Sequence, residues 1–144
     1  MSYATIADIR QRIDEDRLIR LTDDDDTGAV DEEIVAAVLV SASNKIDLLL
    51  GRRYAAQVPF DPVPPVLVDL CADIGGYMLH IRREEAPGEF WTLQYKEAVR
   101  FLRQLAGGAY DLGGEGEEAV SSSAHEVQIT GPARVFSRNS LKGF

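Results

Sequence analysis

The chain has 144 residues, of which 45% are hydrophobic and 27% charged, and this composition indicates one soluble globular domain. Its 24 acidic residues outnumber its 15 basic ones, and a net charge of −9 argues against simple binding to nucleic acid or to an anionic membrane. No apolar run approaches the roughly 18 residues that span a bilayer, and the first residues lack the apolar core of a signal peptide. The single Cys71 cannot form an internal disulfide, which suits a cytosolic protein.

The first 30 residues predict a helix that stops at an acidic turn. Thr5 and Asp8 can form a capping box, and isoleucines recur after it at helical spacing. A short helical turn at 17–21 either continues this helix or follows it. The four aspartates at 23–26 repel one another and Gly28 permits a left-handed turn, so the helical pattern ends there.

A second helix is predicted to begin near Asp31, where three acidic residues suit the positive end of a helix. Apolar residues then recur at spacings of four and three: Val35, Leu39, Ala42, Ile46 and Leu49. Gly51 follows, and then come Arg52, Arg53 and Tyr54. These last three residues either cap the helix or contact a partner.

Two further helices are predicted after a rigid proline-rich connector at 59–65, with Pro65 in the first turn of the third helix. The apolar stripe of the third helix contains Leu67, Leu70, Ile74, Tyr77 or Met78, and Ile81. Gly75 and Gly76 lie inside it and indicate either close helix packing or a kink. The end of this helix, Arg82-Arg83-Glu84-Glu85, is expected to be solvated.

The fourth helix follows the break at Pro87-Gly88 and ends at Gly107-Gly108, which are natural C-terminal caps. Its stripe contains Trp91, Tyr95, Ala98, Leu102 and Leu105. Its aromatic residues are expected in the core: Phe90, Trp91, Tyr95 and Phe101.

The composition changes at Gly113. Residues 1–112 are predicted to form a helical body, 113–123 a Gly/Glu/Ser linker, and 124–144 a β-hairpin or extended arm, because apolar and polar residues alternate there. Residues 119–144 carry a net charge of +2 and residues 1–118 a net charge of −11. The apolar residues of the arm should find a groove, either on its own helices or on a neighbouring copy.

The sequence contains no recognisable catalytic, cofactor-binding or metal-binding motif. If Asp23 opened a calcium loop, position 12 would be Ile34 instead of the required Glu, so a solvated turn is the simpler interpretation. The only two histidines, His80 and His125, are 45 positions apart, which does not indicate a zinc site. Cys71 lies on an apolar stripe and is expected to be a small core residue.

The order of several short motifs resembles a known family. These motifs are Leu21-Thr22-Asp23, the helix end Ile46-Asp47 to Arg52-Arg53-Tyr54, and the closing Arg134-Val135-Phe136-Ser137-Arg138. Together they make the chain similar to the Mu-like phage family long labelled a domain of unknown function. The resemblance covers nearly the whole chain and rests on the order and spacing of the motifs.

The resemblance implies a mainly α structural protein of the virion, a bundle of about four helices with a C-terminal hairpin or arm. Such proteins are similar to head–tail connectors, or adaptors, which form a ring below the portal. The implied partners are other copies of the chain, the portal protein and a tail-completion protein, with no specific nucleic-acid binding, membrane contact or catalytic residue. Before assembly, the protein would be located in the cytoplasm of the bacterial host. The candidate contacts are Arg52, Arg53, Tyr54, Arg134, Phe136, Arg138, Leu141 and Phe144.

Two other functions are compatible with the residues alone. A small acidic binding module, such as a DNA mimic or an inhibitor of a host or phage protein, would be monomeric or dimeric and would need no protruding arm. A metal-dependent enzyme fits less well, because the sequence lacks a ligand set.

Overall fold

A computed structural model describes residues 1–83 and 86–112 of the protein, and all the regular secondary structure in this part is helical. The helices are α1 (Ile6–Arg10), α2 (Glu15–Thr22), α3 (Glu32–Tyr54), α4 (Pro65–Arg82) and α5 (Gly88–Gly107). The predicted mainly α fold is therefore confirmed. The predicted linker at 113–123 and the arm at 124–144 lie outside the described residues.

The core lies where α3, α4 and α5 pack against one another, while the short α1 and α2 cover α3 and α4. Arg12, just after α1, attaches this N-terminal pair of helices to α4. Its guanidinium donates to Asp69 Oδ1 at 2.8 Å and to Asp73 Oδ1 at 3.0 Å. Because Asp73 is half-buried, desolvation raises its pKa even though Arg12 opposes that rise.

The N-terminal segment forms two helices, and the predicted turn at 17–21 belongs to the second of them. The predicted capping box is present, since the Thr5 amide donates to Asp8 Oδ2 at 2.7 Å. Asp14 then caps α2 by accepting from the Arg17 amide at 2.8 Å. This second cap separates α2 from α1.

The structure confirms where α3 begins and extends the predicted end. Asp31 caps it by accepting from the amides of Glu33 at 2.9 Å and Ile34 at 3.1 Å. The helix then continues through Gly51 to Tyr54, so Arg52, Arg53 and Tyr54 form its last turn. Leu50 is fully buried, whereas the predicted Leu49 is only half-buried.

The two glycines inside α4 serve close helix packing. A Cβ atom added at Gly76 would lie 2.3 Å from Cζ3 of Trp91, and one at Gly75 would lie 2.8 Å from Cδ2 of Leu39. At Gly76, where the neighbour is the rigid indole ring, only glycine lets α4 approach α5 so closely, whereas at Gly75 the end of the Leu39 side chain would have to shift. This settles the choice between packing and a kink in favour of packing.

Two predicted core residues at the α4–α5 end are exposed instead. Ile81 is 46% exposed, and the residues buried in that turn are Leu79 and His80. Phe90 is 62% exposed and packs edge-on against Trp91, which is buried. The other boundaries agree with the sequence, with Pro65 opening α4 and α5 ending at Gly108.

Candidate interaction surface

The predicted contact residues at the end of α3 occupy different environments. Arg52 is exposed and forms no ion pair with any residue in the described part of the chain. Tyr54 is buried at 7% exposure, with its ring 5.8 Å from that of Phe60. Arg53 is also exposed, and its side chain keeps 33% of its accessibility while it contacts Asp111. The outer surface of this helix end is therefore formed by Arg52 and Arg53.

Tyr54 and Arg53 fix the segment that follows α5. The Tyr54 hydroxyl donates to Asp111 Oδ1 at 3.2 Å, and Arg53 Nη2 lies 3.7 Å from Asp111 Oδ2. The Arg53 guanidinium also fills the space beside Gly108, where an added Cβ would lie 2.2 Å from Nη1. Desolvation, and then the Asp111 contact, raise the pKa of Tyr54. These contacts bring the last described residues, up to Leu112, to the same end of the body as Arg52.

The acidic turn is partly neutralised by the end of α4. Asp24 forms ion pairs with Arg82 and Arg83, and Arg82 Nη1 also donates to the Leu21 carbonyl at 3.1 Å. The hydrogen bond from Arg82 lowers the pKa of Asp24. Both arginines are exposed, as predicted for this end of α4, and in addition they pair with the acidic turn. Its other residues, 84 and 85, lie outside the described ones.

Asp23 holds the shape of the same turn. Its carboxylate accepts from the backbone amides of Thr27 at 2.9 Å and Gly28 at 2.7 Å, and these bonds lower its pKa. Gly28 has φ of 76°, in the left-handed region that the sequence predicted for it. The carboxylate that would open a calcium loop thus already stabilises the turn. Asp25 and Asp26 are exposed.

The groups that could support catalysis are used inside the core. Cys71 is fully buried with Sγ 3.3 Å from Ser43 Oγ, and burial raises the pKa of its thiol. His80 is fully buried, with Nδ1 donating to the Gly76 carbonyl at 2.7 Å and Nε2 accepting from Arg17 at 3.1 Å. Within residues 1–83 and 86–112, no group of three or more potential metal ligands is present. The prediction that Cys71 is a core residue is confirmed.

The side of α3 that faces away from the core is apolar, and the sequence analysis did not identify it as a surface. Among the described residues, α3 is the one helix that is long and apolar enough to cross a membrane by length and composition. Its inner side packs against α4 and α5, but Val40 and Leu48 on the outer side are 37% and 83% exposed. No charged residue occurs between Glu33 and Lys45, and this uncharged run is the feature of the sequence that could have indicated an apolar outer side.

Comparison with known proteins identifies the group to which this small, acidic, helical protein belongs. The sequence model of the family described as Bacteriophage Mu, Gp36 matches residues 3–130. Gene product J of Escherichia phage Mu is 34% identical over 146 residues, covering 100% of this chain and 99% of the relative. The Mu-like prophage FluMu protein gp36 of Haemophilus influenzae is 33% identical over 116 residues, covering 81% of this chain and 79% of the relative.

The protein is therefore a phage protein of the Mu-like group, as the order of its motifs indicated. More specifically, the chain belongs to the Bacteriophage Mu Gp36 family.

Proposed function

We propose that this protein is a structural, non-enzymatic component of the phage particle that acts as a head–tail connector and forms a ring below the portal. The observation that carries this proposal is the family match over residues 3–130, because both relatives are products of Mu or a Mu-like prophage. Their names do not state a role, so the connector function rests on the physical properties of the chain. Its proposed location is the head–tail interface of the virion.

The distribution of charge supports a ring. A cyclic ring needs two different surfaces that meet head to tail. Residues 1–118 carry a net charge of −11, whereas residues 119–144 carry a net charge of +2. Opposite charges on the two parts of one chain favour contact between the tail of one copy and the body of the next.

We assign the contacts with neighbouring subunits or with the portal to the tail and to one end of the body. In the tail, the proposed contacts are Arg134, Phe136, Arg138, Leu141 and Phe144, which lie outside the described residues. On the body, Arg52 offers an exposed positive charge beside the point where the chain leaves α5. Buried Tyr54 supports this end from within, and exposed Arg53 lies beside it. The portal and a tail-completion protein are the proposed partners of the assembled ring.

The assembly itself provides the test. In the phage that encodes this chain, an amber mutation in its gene should yield DNA-filled heads and complete tails that remain unjoined, and supplying the protein should restore joining. Immunogold labelling should find the protein at the neck of mature particles. Normal infectious particles without the protein would refute the connector function. A protein that is absent from particles and binds a host protein would instead support the acidic inhibitor.

Removing residues 119–144 tests the part assigned to the tail. The shortened chain should retain the helical circular-dichroism signal, because the helices and their core lie within Met1–Leu112. It should fail to join purified portal, whereas the full chain joins it. If the shortened chain joins the portal as well as the full chain, the contacts assigned to the tail are wrong.

A further inference from the structure

We propose that the outer face of α3 is a self-docking surface, on which α3 of a second copy lies antiparallel across a two-fold axis. The outer face is defined by Glu33, Ala36, Ala37, Val40, Ser41, Asn44, Leu48, Gly51 and Arg52, and the exposed Lys45 lies at its edge. Such pairing goes beyond the proposed function, because it joins copies through like surfaces, whereas a ring is closed by unlike ones.

The outer face has the chemistry of a helix–helix contact. At 100° per residue, Ala37, Val40, Asn44 and Leu48 follow one line along the helix. Small residues beside this line allow a second helix to approach closely. Leu48 at 83% exposure is the most exposed of the large hydrophobic residues in the described part of the chain. Exposing it to water is unfavourable unless another surface covers it.

Gly51 is an independent observation that points to close approach by another chain. It lies within α3, where glycine is unfavourable by about 1 kcal/mol relative to alanine. An added Cβ at Gly51 would meet nothing within 4 Å, so packing within the described body does not require glycine there. Gly75 and Gly76 in α4 are different, because neighbouring helices fill the space beside them. A helix from outside the molecule would give Gly51 the same role.

The order of residues along the outer face favours a second copy as the occupant. In an antiparallel pair centred between positions 42 and 43, Glu33 lies opposite Arg52 of the other copy, and Ala37 lies opposite Leu48. Negative charge then meets positive charge and a small residue meets a large one, twice in each pair, while Lys45 lies opposite Val40 at the edge of the face. A parallel pair would instead place Glu33 against Glu33 and Arg52 against Arg52. Antiparallel pairing is therefore the arrangement in which this face is complementary to itself.

The two terminal charges are available for this contact. Neither Glu33 nor Arg52 forms an ion pair within residues 1–83 and 86–112. The neighbouring Glu32 differs, since Arg10 Nη2 lies 3.4 Å from its carboxylate. Ser41 and Asn44, which also face each other in the antiparallel register, can form hydrogen bonds across the axis.

The size of the outer face sets the expected strength of pairing. A helix of 23 residues is about 34 Å long and about 10 Å wide, so this face offers roughly 340 Å² per copy. A stable interface of standard size buries about 800 Å² per partner. Pairing through α3 alone should therefore be reversible and visible only at high concentration.

Sedimentation velocity on the full-length protein over a wide concentration range tests the proposal. The wild-type chain should shift from monomer to dimer as concentration rises. Leu48→Glu should weaken dimerisation by at least about tenfold in Kd. Its melting temperature should stay within a degree or two of wild type, because Leu48 contributes little to the core. Loss of pairing could then not be attributed to loss of folding.

Charge reversal tests the antiparallel register. Glu33→Arg and Arg52→Glu should each weaken dimerisation, and the double variant should restore it, because the opposite charges then face each other again. Glu89→Arg and Arg103→Glu, on the exposed side of α5, are matched controls with the same change in net charge. They should leave Kd within about twofold of wild type.

Several outcomes would overturn the proposal. One is a wild-type chain that stays monomeric up to millimolar concentration. A second is an oligomer of any size that Leu48→Glu leaves unchanged. A third is a pair of single charge reversals that affect dimerisation no more than the α5 controls. None of these results bears on the connector function, which is tested in particles and with portal.

Discussion

The close contact between α4 and α5 makes Gly76→Ala a severe test of the packing described above. An added Cβ would lie 2.3 Å from Cζ3 and 2.6 Å from Cη2 of Trp91, both in the rigid six-membered ring of the indole. Trp91 cannot move away easily, because its ring also lies 5.1 Å from that of buried His80. Either the indole or the whole of α5 must therefore shift.

Two opposing effects determine the size of this change. Replacing glycine by alanine inside a helix stabilises the fold by about 1 kcal/mol. Forcing an extra methyl group into a packed core destabilises it by about 1–3 kcal/mol, and a contact as short as this one favours the upper end. We therefore expect Gly76→Ala to lower the free energy of unfolding by about 1–2 kcal/mol in total.

Gly51→Ala is the matched control, since it makes the same chemical change where an added Cβ meets open space. It should raise the free energy of unfolding by about 0.5–1 kcal/mol. Urea unfolding followed by circular dichroism would measure both variants, at concentrations low enough for the chain to be monomeric. In a Trp91→Phe background the loss caused by Gly76→Ala should shrink, because the crowded part of the indole is gone. A Gly76→Ala variant as stable as wild type would refute the account of this contact.

Three other predictions concern titratable groups. Burial and a hydrogen bond to Asp47 raise the pKa of Tyr3 to about 12. The stabilisation of the fold by protonated Tyr3 is therefore complete below pH 10 and is lost as pH rises toward 12. Across this range, the urea midpoint should fall less steeply for Tyr3→Phe than for the wild-type chain. The pKa of Asp24 is lowered, so ionised Asp24 stabilises the fold above its ordinary pKa of 3.8, and this stabilisation is lost as pH falls. In Arg82→Gln, the urea midpoint measured at decreasing pH should therefore fall less than in the wild-type chain. Cys71 is fully buried with a raised thiol pKa, so a maleimide should modify the native protein at least about 100-fold more slowly than the urea-unfolded chain, and equal rates would contradict its burial.

The boundaries of the long helices were predictable because local chemistry determines them. Asp31 caps α3 with its own carboxylate, Pro65 opens α4, and Gly108 closes α5 with φ of 84°. Each effect involves residues within one turn of the helix end, so the sequence alone contains it. At the end of α3 the helix continues past Gly51, so Arg52, Arg53 and Tyr54 lie within it.

Contacts between residues distant in the chain were not predictable from periodicity. His80 interrupts the apolar pattern of α4, yet it is buried because Arg17 of α2 supplies a hydrogen bond from 63 positions away. Arg82 reaches Asp24, 58 positions earlier in the chain, and thereby ties the acidic turn to the end of α4. The sequence identified these residues as charged or polar, but only the fold determines which of them meet.

The outer face of α3 is unusual because a core helix of a soluble protein normally presents charged residues to water. Here the helix is apolar on the inside, where Leu39 and Ile46 are buried, and largely apolar on the outside as well. Its charges are confined to the ends, to Asp47, which accepts a hydrogen bond from the Tyr3 hydroxyl, and to Lys45, whose Nζ lies 6.0 Å above the ring of Tyr95. A helix covered on one side by its own core and on the other by a second copy has this pattern. Such pairing is two-fold and joins like surfaces, so it is distinct from the contacts between unlike surfaces that a ring requires.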